Sequence, residues 1–133
     1  MSLRLATGIL AVGFVLHNAD HWRRGFGVVE DGVILGGTMA AMLIAVLFTL
    51  VVARHPAAPA AAAVVGLSVA FGVSMVHLVP GWGPPSDYLP DAGADALTYT
   101  AVIAEIGAAA LVGVVGLQIL RRNDFAPLVP GWA

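Results

Sequence analysis

The chain contains no cysteine and no lysine, and it carries few charges of any kind. Without cysteine there are no disulfides, no thiolate nucleophile, and no thiolate ligands for zinc or an iron–sulfur cluster. Without lysine every fixed positive charge is an arginine. Six basic residues against eight acidic ones leave a formal charge of −2, which offers no field for nucleic acid. A phosphate loop, a dinucleotide-binding glycine pattern and a nucleophile elbow are likewise missing. Serine occurs only at Ser2, Ser68, Ser74 and Ser86, none in a setting that would activate it. Charged residues make up 11% and hydrophobic residues 59%, with a mean hydropathy of +0.92. A soluble domain runs at about 25% charged and about 45–50% apolar, so contact with lipid accounts for the shift. The length, 133 residues, suits a single domain.

Four runs approach the roughly 20 apolar residues that a spanning helix needs: residues 3–22, 32–53, 59–79 and 97–120. The first could pass for a signal peptide, but no small-x-small cleavage site follows it, and it is read as a span. Arg23-Arg24-Gly25 ends the first run, Arg54-His55-Pro56 the second, Pro80-Gly81 the third and Arg121-Arg122 the fourth. Pro59 suits a helix start. The expected fold is an all-α, up-down, four-helix transmembrane bundle. Residues 80–96 carry Pro80, Pro84, Pro85 and Pro90, so that connection should be ordered and stiff. Its Trp82 and Tyr88 fit an interfacial aromatic belt. Arg4, Arg54, Arg121 and Arg122 fall on one side, while Arg23 and Arg24 on the other are diluted by Glu30 and Asp31. The positive-inside rule then places both termini in the cytoplasm, with a bacterial plasma membrane as the expected location. Gly107, Gly113 and Gly116 with neighbouring alanines, and Gly36-Gly37 in the second run, permit close helix approach. They serve packing within the bundle before any dimer, although a chain this small is expected to self-associate or join a larger membrane complex.

Two short echoes stand out. His17-x-x-x-x-Trp22 and His77-x-x-x-x-Trp82 end the first and third runs, as a duplicated hairpin would. Leu78-Val79-Pro80-Gly81-Trp82 recurs as Leu128-Val129-Pro130-Gly131-Trp132, an expected interfacial turn and anchor.

The chemistry-bearing residues are His17, Asp20, His21, His77 and Glu105. Positions 17, 20 and 21 share one helical face. By helical rise, His17 lies roughly 7 Å, His77 roughly 4 Å and Glu105 about 12 Å below the same membrane face. Ionisable groups at such depth are costly and usually face the bundle interior, where they mark function. Asp20 and His21, at the boundary, are expected at the rim.

Three chemistries suit the set. A transition metal could be held by His17, His21, His77 and Glu105, since imidazole serves zinc, copper, iron and nickel, with Asp20 or Asn18 orienting a ligand. Haem b could be held between His17 and His77, with Gly13 and Gly72 making room and Arg23 or Arg24 meeting the propionates. Met39, Met42 and Met75 are alternative soft ligands. Without a cofactor, Glu105 with His17 or His77 forms a proton-transfer pair for a lipophilic substrate, with Asp20, Asp87 and Tyr88 at the rim. In catalytic terms the candidates are Glu105, His77 and Asp20. The leading expectation is a metal or haem site supporting redox or acid–base chemistry on a lipophilic molecule. A non-catalytic accessory subunit is the alternative.

Overall fold

The computed structural model describes residues 1–25, 30–81, 83 and 86–124. Trp82, Pro84, Pro85 and the second Leu-Val-Pro-Gly-Trp copy lie outside the described residues. Among the described residues the chain forms four helices and no strand: α1 (Leu3–Arg24), α2 (Asp31–Val52), α3 (Ala58–Leu78) and α4 (Ala96–Asp124).

Local chemistry sets the ends. Ser2 caps α1, its hydroxyl accepting from the Leu5 N–H at 3.3 Å. The Arg23-Arg24 pair, expected to break this helix, instead forms its last turn. Gly25 stops it, at φ 91°, a conformation that a side chain would oppose. Pro59 sits in the first turn of α3, where the missing N–H costs nothing. α3 stops at Leu78, two residues before Pro80. Asp95 starts α4, its Oδ1 accepting from the Thr98 N–H at 2.9 Å.

Three helices are long and apolar enough to cross a membrane: α2, α3 and α4 up to Arg122. α1 has the length, 22 residues, but its last two turns hold His17, Asn18, Asp20, His21, Arg23 and Arg24. The outer surface of the bundle agrees with lipid contact. Val12, Leu35, Val46 and Phe71 are all more than half exposed, an arrangement that water would penalise across so many side chains.

The core joins α1, α3 and α4 closely. At the α3/α4 crossing, a Cβ added to Gly66 would lie 2.5 Å from Gly113 N, and one on Gly116 would lie 2.6 Å from Ala63 N. Hence, although a Cβ added at Gly107 would meet nothing within 4 Å, Gly113 and Gly116 of α4 are used within the bundle, as expected from the sequence. Gly13 does the same for α1, where an added Cβ would meet Glu105 Cα at 3.1 Å. The two α3/α4 pairs run in opposite chain order, and so do Gly13–Glu105 and the Arg23–Thr98 contact between α1 and α4, so α1 and α3 point the same way.

The inward stripe of α1 reads Ala6, Leu10, Gly13, His17, Asp20 and His21, all buried, the three-and-four spacing of one helical face. Its lower half is apolar and its upper half polar. α2 differs from the other helices: Ile44, Leu47 and Val51 join the hydrophobic core, whereas residues 34–39 are exposed. Apart from Val33, which is buried, its N-terminal half therefore stands off from α1 and α3.

Candidate metal centre

Three imidazoles meet where α1 and α3 end. His17 and His21 lie one turn apart on the stripe of α1, and His77 occupies the last turn of α3. Ring centroids are 4.7 Å apart for His17–His21, 4.8 Å for His17–His77 and 5.7 Å for His21–His77. One nitrogen from each of the three falls within 4.8 Å of the others. A tetrahedral ion with bonds of about 2.0–2.1 Å asks for donors about 3.3 Å apart. The nitrogens here stand within the wider limit of 4.8 Å, so the rings would have to close in on an ion. His21, expected at the rim, is as buried as its partners, at 8% exposure against 6% for His17 and 2% for His77.

Hydrogen bonds fix which nitrogens are available. His17 Nδ1 is bonded to Glu105 Oε2. A carboxylate only accepts, so Nδ1 carries the proton and Nε2 presents its lone pair. His77 Nδ1 donates to the backbone carbonyl of Asp87 at 3.1 Å, with the Asp87 carboxylate a further contact at 3.5 Å. Its Nε2 is likewise left as the lone-pair nitrogen. His17 Nε2 and His21 Nδ1 are buried without a hydrogen-bond partner among the described residues. Such orphans are rare, because each costs about 1–3 kcal/mol.

Behind the imidazoles stands a layer of charge. Glu105, 1% exposed, reaches the site because Gly13 lets α4 press against α1. The sequence places Glu105 among the ligands; in the structure it stands behind His17, outside the trio. Arg24 grips Asp87 through two contacts of 3.0 and 3.3 Å. Hydrogen bonding from His77, then from Arg24, holds the Asp87 carboxyl well below the usual carboxylate range. Asp20 is buried, but it faces Arg23, with contacts of 2.7 and 2.9 Å. Arg23 continues to Asp95 at 2.9 Å and to Thr98 at 3.1 Å. Asp20 therefore ties α1 to the start of α4 and takes no part in the imidazole contacts, contrary to its expected place among the reacting groups.

Sequence reasoning had Asp87 only as a rim residue. Its carbonyl and carboxylate reach His77 because the loop folds back along α3. The Asp87 N–H donates to Val76 O at 3.1 Å and the Leu89 N–H to His77 O at 3.0 Å. Leu89, fully buried, pins the turn.

A half-open cavity of about 850 Å³ adjoins the trio, bounded by α1, the stand-off half of α2, and α3 from Ser68 to His77. Its lining is mostly apolar; the three histidines, Asn18 and Glu105 border it, as do the hydroxyl residues Thr38 and Ser68. The slot that haem would need between His17 and His77 is not there. Trans imidazoles on one iron stand with centroids about 6 Å apart, allowing bonds of about 2.0 Å. These two are closer and edge-on, and His21 packs against both. Gly13, expected to make room, is closed off by α4, whereas Gly72 does border open space. Met39 lines the cavity. Compared with known proteins, the chain matches no family model, no curated protein and no solved structure.

Proposed function

We propose that this chain is a membrane metalloprotein in which His17, His21 and His77 hold one transition-metal ion. The observation that carries the reading is the convergence of three buried imidazoles, two with an orphaned nitrogen, whose other contacts run to Glu105 and Asp87. One ion would satisfy all three rings at once. Metal-bound histidines nearly always donate their second nitrogen to a carboxylate or carbonyl, and His17 and His77 do so here. Three protein ligands with one position left open is the pattern of catalytic zinc sites, in contrast to closed structural ones. The open position would face the apolar cavity, so the chemistry it serves, redox or acid–base, acts on a lipophilic molecule drawn from the bilayer.

In this reading α1 completes a four-span, up-down bundle, its polar end lying at the membrane face. The arginine distribution supports placing both termini on the cytoplasmic side of a bacterial plasma membrane, with the site beneath its outer surface. The test is elemental analysis of detergent-purified protein. About one zinc, copper, iron or nickel per chain is expected, lost in His77→Ala. A folded protein that takes up none of these ions when they are supplied ends the reading, and a Soret band would replace it with haem. The contact between His17 and Glu105 supports a second reading, a metal-free proton-transfer pair. That one predicts activity in metal-free protein, abolished by Glu105→Gln.

A further inference from the structure

The charge balance around the trio, taken with the shape of the cavity, says what the open position binds. The three histidines are neutral ligands. The charges touching them are the Glu105 carboxylate on His17 and the Asp87 carboxylate beside His77, and Asp87 is already matched by Arg24. A divalent ion would leave the buried site with one uncompensated positive charge. Uncompensated charge in a low-dielectric setting is strongly unfavourable. The fourth ligand therefore restores neutrality when it is a monoanion.

The cavity constrains the rest of that ligand. Its volume of about 850 Å³ lies in the range of about 300–1,000 Å³ typical of small-molecule pockets. Along α3 and α2 it is lined by apolar residues such as Val69, Val73, Val76 and Leu43. From Ser68 to His77 the α3 wall rises over nine residue steps, roughly 13 Å, the span of an extended chain of about ten carbons. The wall opposite is the half of α2 that stands clear of the core. Gly36, Gly37 and Gly72 all line the cavity, and a Cβ added at any of them meets nothing within 4 Å. The space is open along an apolar helix that is long enough to cross the membrane, so access is from lipid.

Resting on the metal reading above, we infer that the site binds a single-chain amphiphile with an anionic oxygen head group. The head takes the open metal position and the chain lies along α3 beneath α2. A medium-chain carboxylate is the simplest member of the class.

The experiment uses the full chain in non-ionic detergent, loaded with Co²⁺, whose visible bands report a change of ligand. Sodium decanoate is expected to alter those bands and to saturate at about one per chain, while methyl decanoate, uncharged, leaves them unchanged. Affinity should rise about fourfold for each CH₂ from hexanoate to decanoate. Gly72→Phe projects a ring into open space, so it should leave the Co²⁺ spectrum intact and weaken decanoate by about tenfold or more. Equal response to acid and ester, affinity independent of chain length, or full decanoate binding in Gly72→Phe would each overturn the inference while the metal reading stands. Failure of the folded chain to take up Co²⁺ would instead remove the metal reading itself.

Discussion

Glu105→Gln should weaken metal binding more than Asp87→Asn, although both replace a carboxylate that touches a ligand histidine. Loss of such a partner costs about 10–100-fold in metal affinity, or about 1.4–2.7 kcal/mol. The structure decides where in that range each variant falls. The described polar contact of His17 Nδ1 is the Glu105 carboxylate. In Gln the nearby group is neutral, a weaker acceptor than the ionised carboxylate, and the amide can also rotate its NH₂ towards the ring, which favours the wrong tautomer. His77 keeps its backbone acceptor when Asp87 changes, because the 3.1 Å bond is to the carbonyl and the carboxylate stands back at 3.5 Å. Glu105→Gln is therefore expected near 100-fold and Asp87→Asn near 10-fold. The assay is competition for Zn²⁺ between the detergent-solubilised protein and a chromophoric chelator at pH 7.5. Equal losses, or a larger loss in Asp87→Asn, would refute the assignment of Glu105 as the group that sets His17.

Gly66→Ala should destabilise the bundle by about 1–3 kcal/mol or more, since its Cβ meets backbone atoms that cannot rotate away. Gly72→Ala, bordering open space, should be neutral or gain up to about 1 kcal/mol of helix propensity, and thermal unfolding in detergent distinguishes the two. Asp95 is held below the usual carboxylate range by its bond from the Thr98 backbone, then by Arg23. Its folded-state pKa is depressed, so its contribution is complete above the ordinary value of about 3.9 and is lost as pH falls through the folded one. An Asp95→Asn chain should therefore show a shallower acid-side decline in melting temperature than the parent. Bound metal should leave progressively as pH drops below about 6, where protons compete for imidazole, and metal retained in full at pH 4 would count against histidine ligation.

The helices and the positions of the histidines near the ends of α1 and α3 were legible in the sequence, because both follow from local rules. The spacing of His17 and His21 places them on one face wherever α1 packs, and His77 lies near the same end of a helix running the same way. The roles of the carboxylates were not legible. Periodicity shows that Asp20 and His21 share the face of His17, but a difference of one residue rotates a side chain by about 100°. That rotation sends Asp20 to Arg23 and His21 to the other rings. Asp87 follows a proline-rich connection, and its return to α3 depends on two backbone hydrogen bonds and the burial of Leu89, none of which leaves a motif. Gly13 was legible as a small residue beside the site, though not as the point where α4 fills the space.

The site combines a rigid half with a loose one, and the glycines explain both. Gly13, Gly66, Gly113 and Gly116 each sit where an added Cβ would strike a neighbouring helix, so α1, α3 and α4 are in near backbone contact. Metal ligands need such support, since a ligand cluster displaced by about 1 Å loses its geometry. Gly36 and Gly37 are used in the opposite way. They face open space, in the exposed stretch 34–39 of α2, and the backbone hydrogen bonds of a helix need no neighbour in lipid. A soluble protein could not leave half a helix unpacked beside an 850 Å³ cavity without exposing that surface to water. In a bilayer the surface would be solvated by acyl chains, which the proposed ligand resembles.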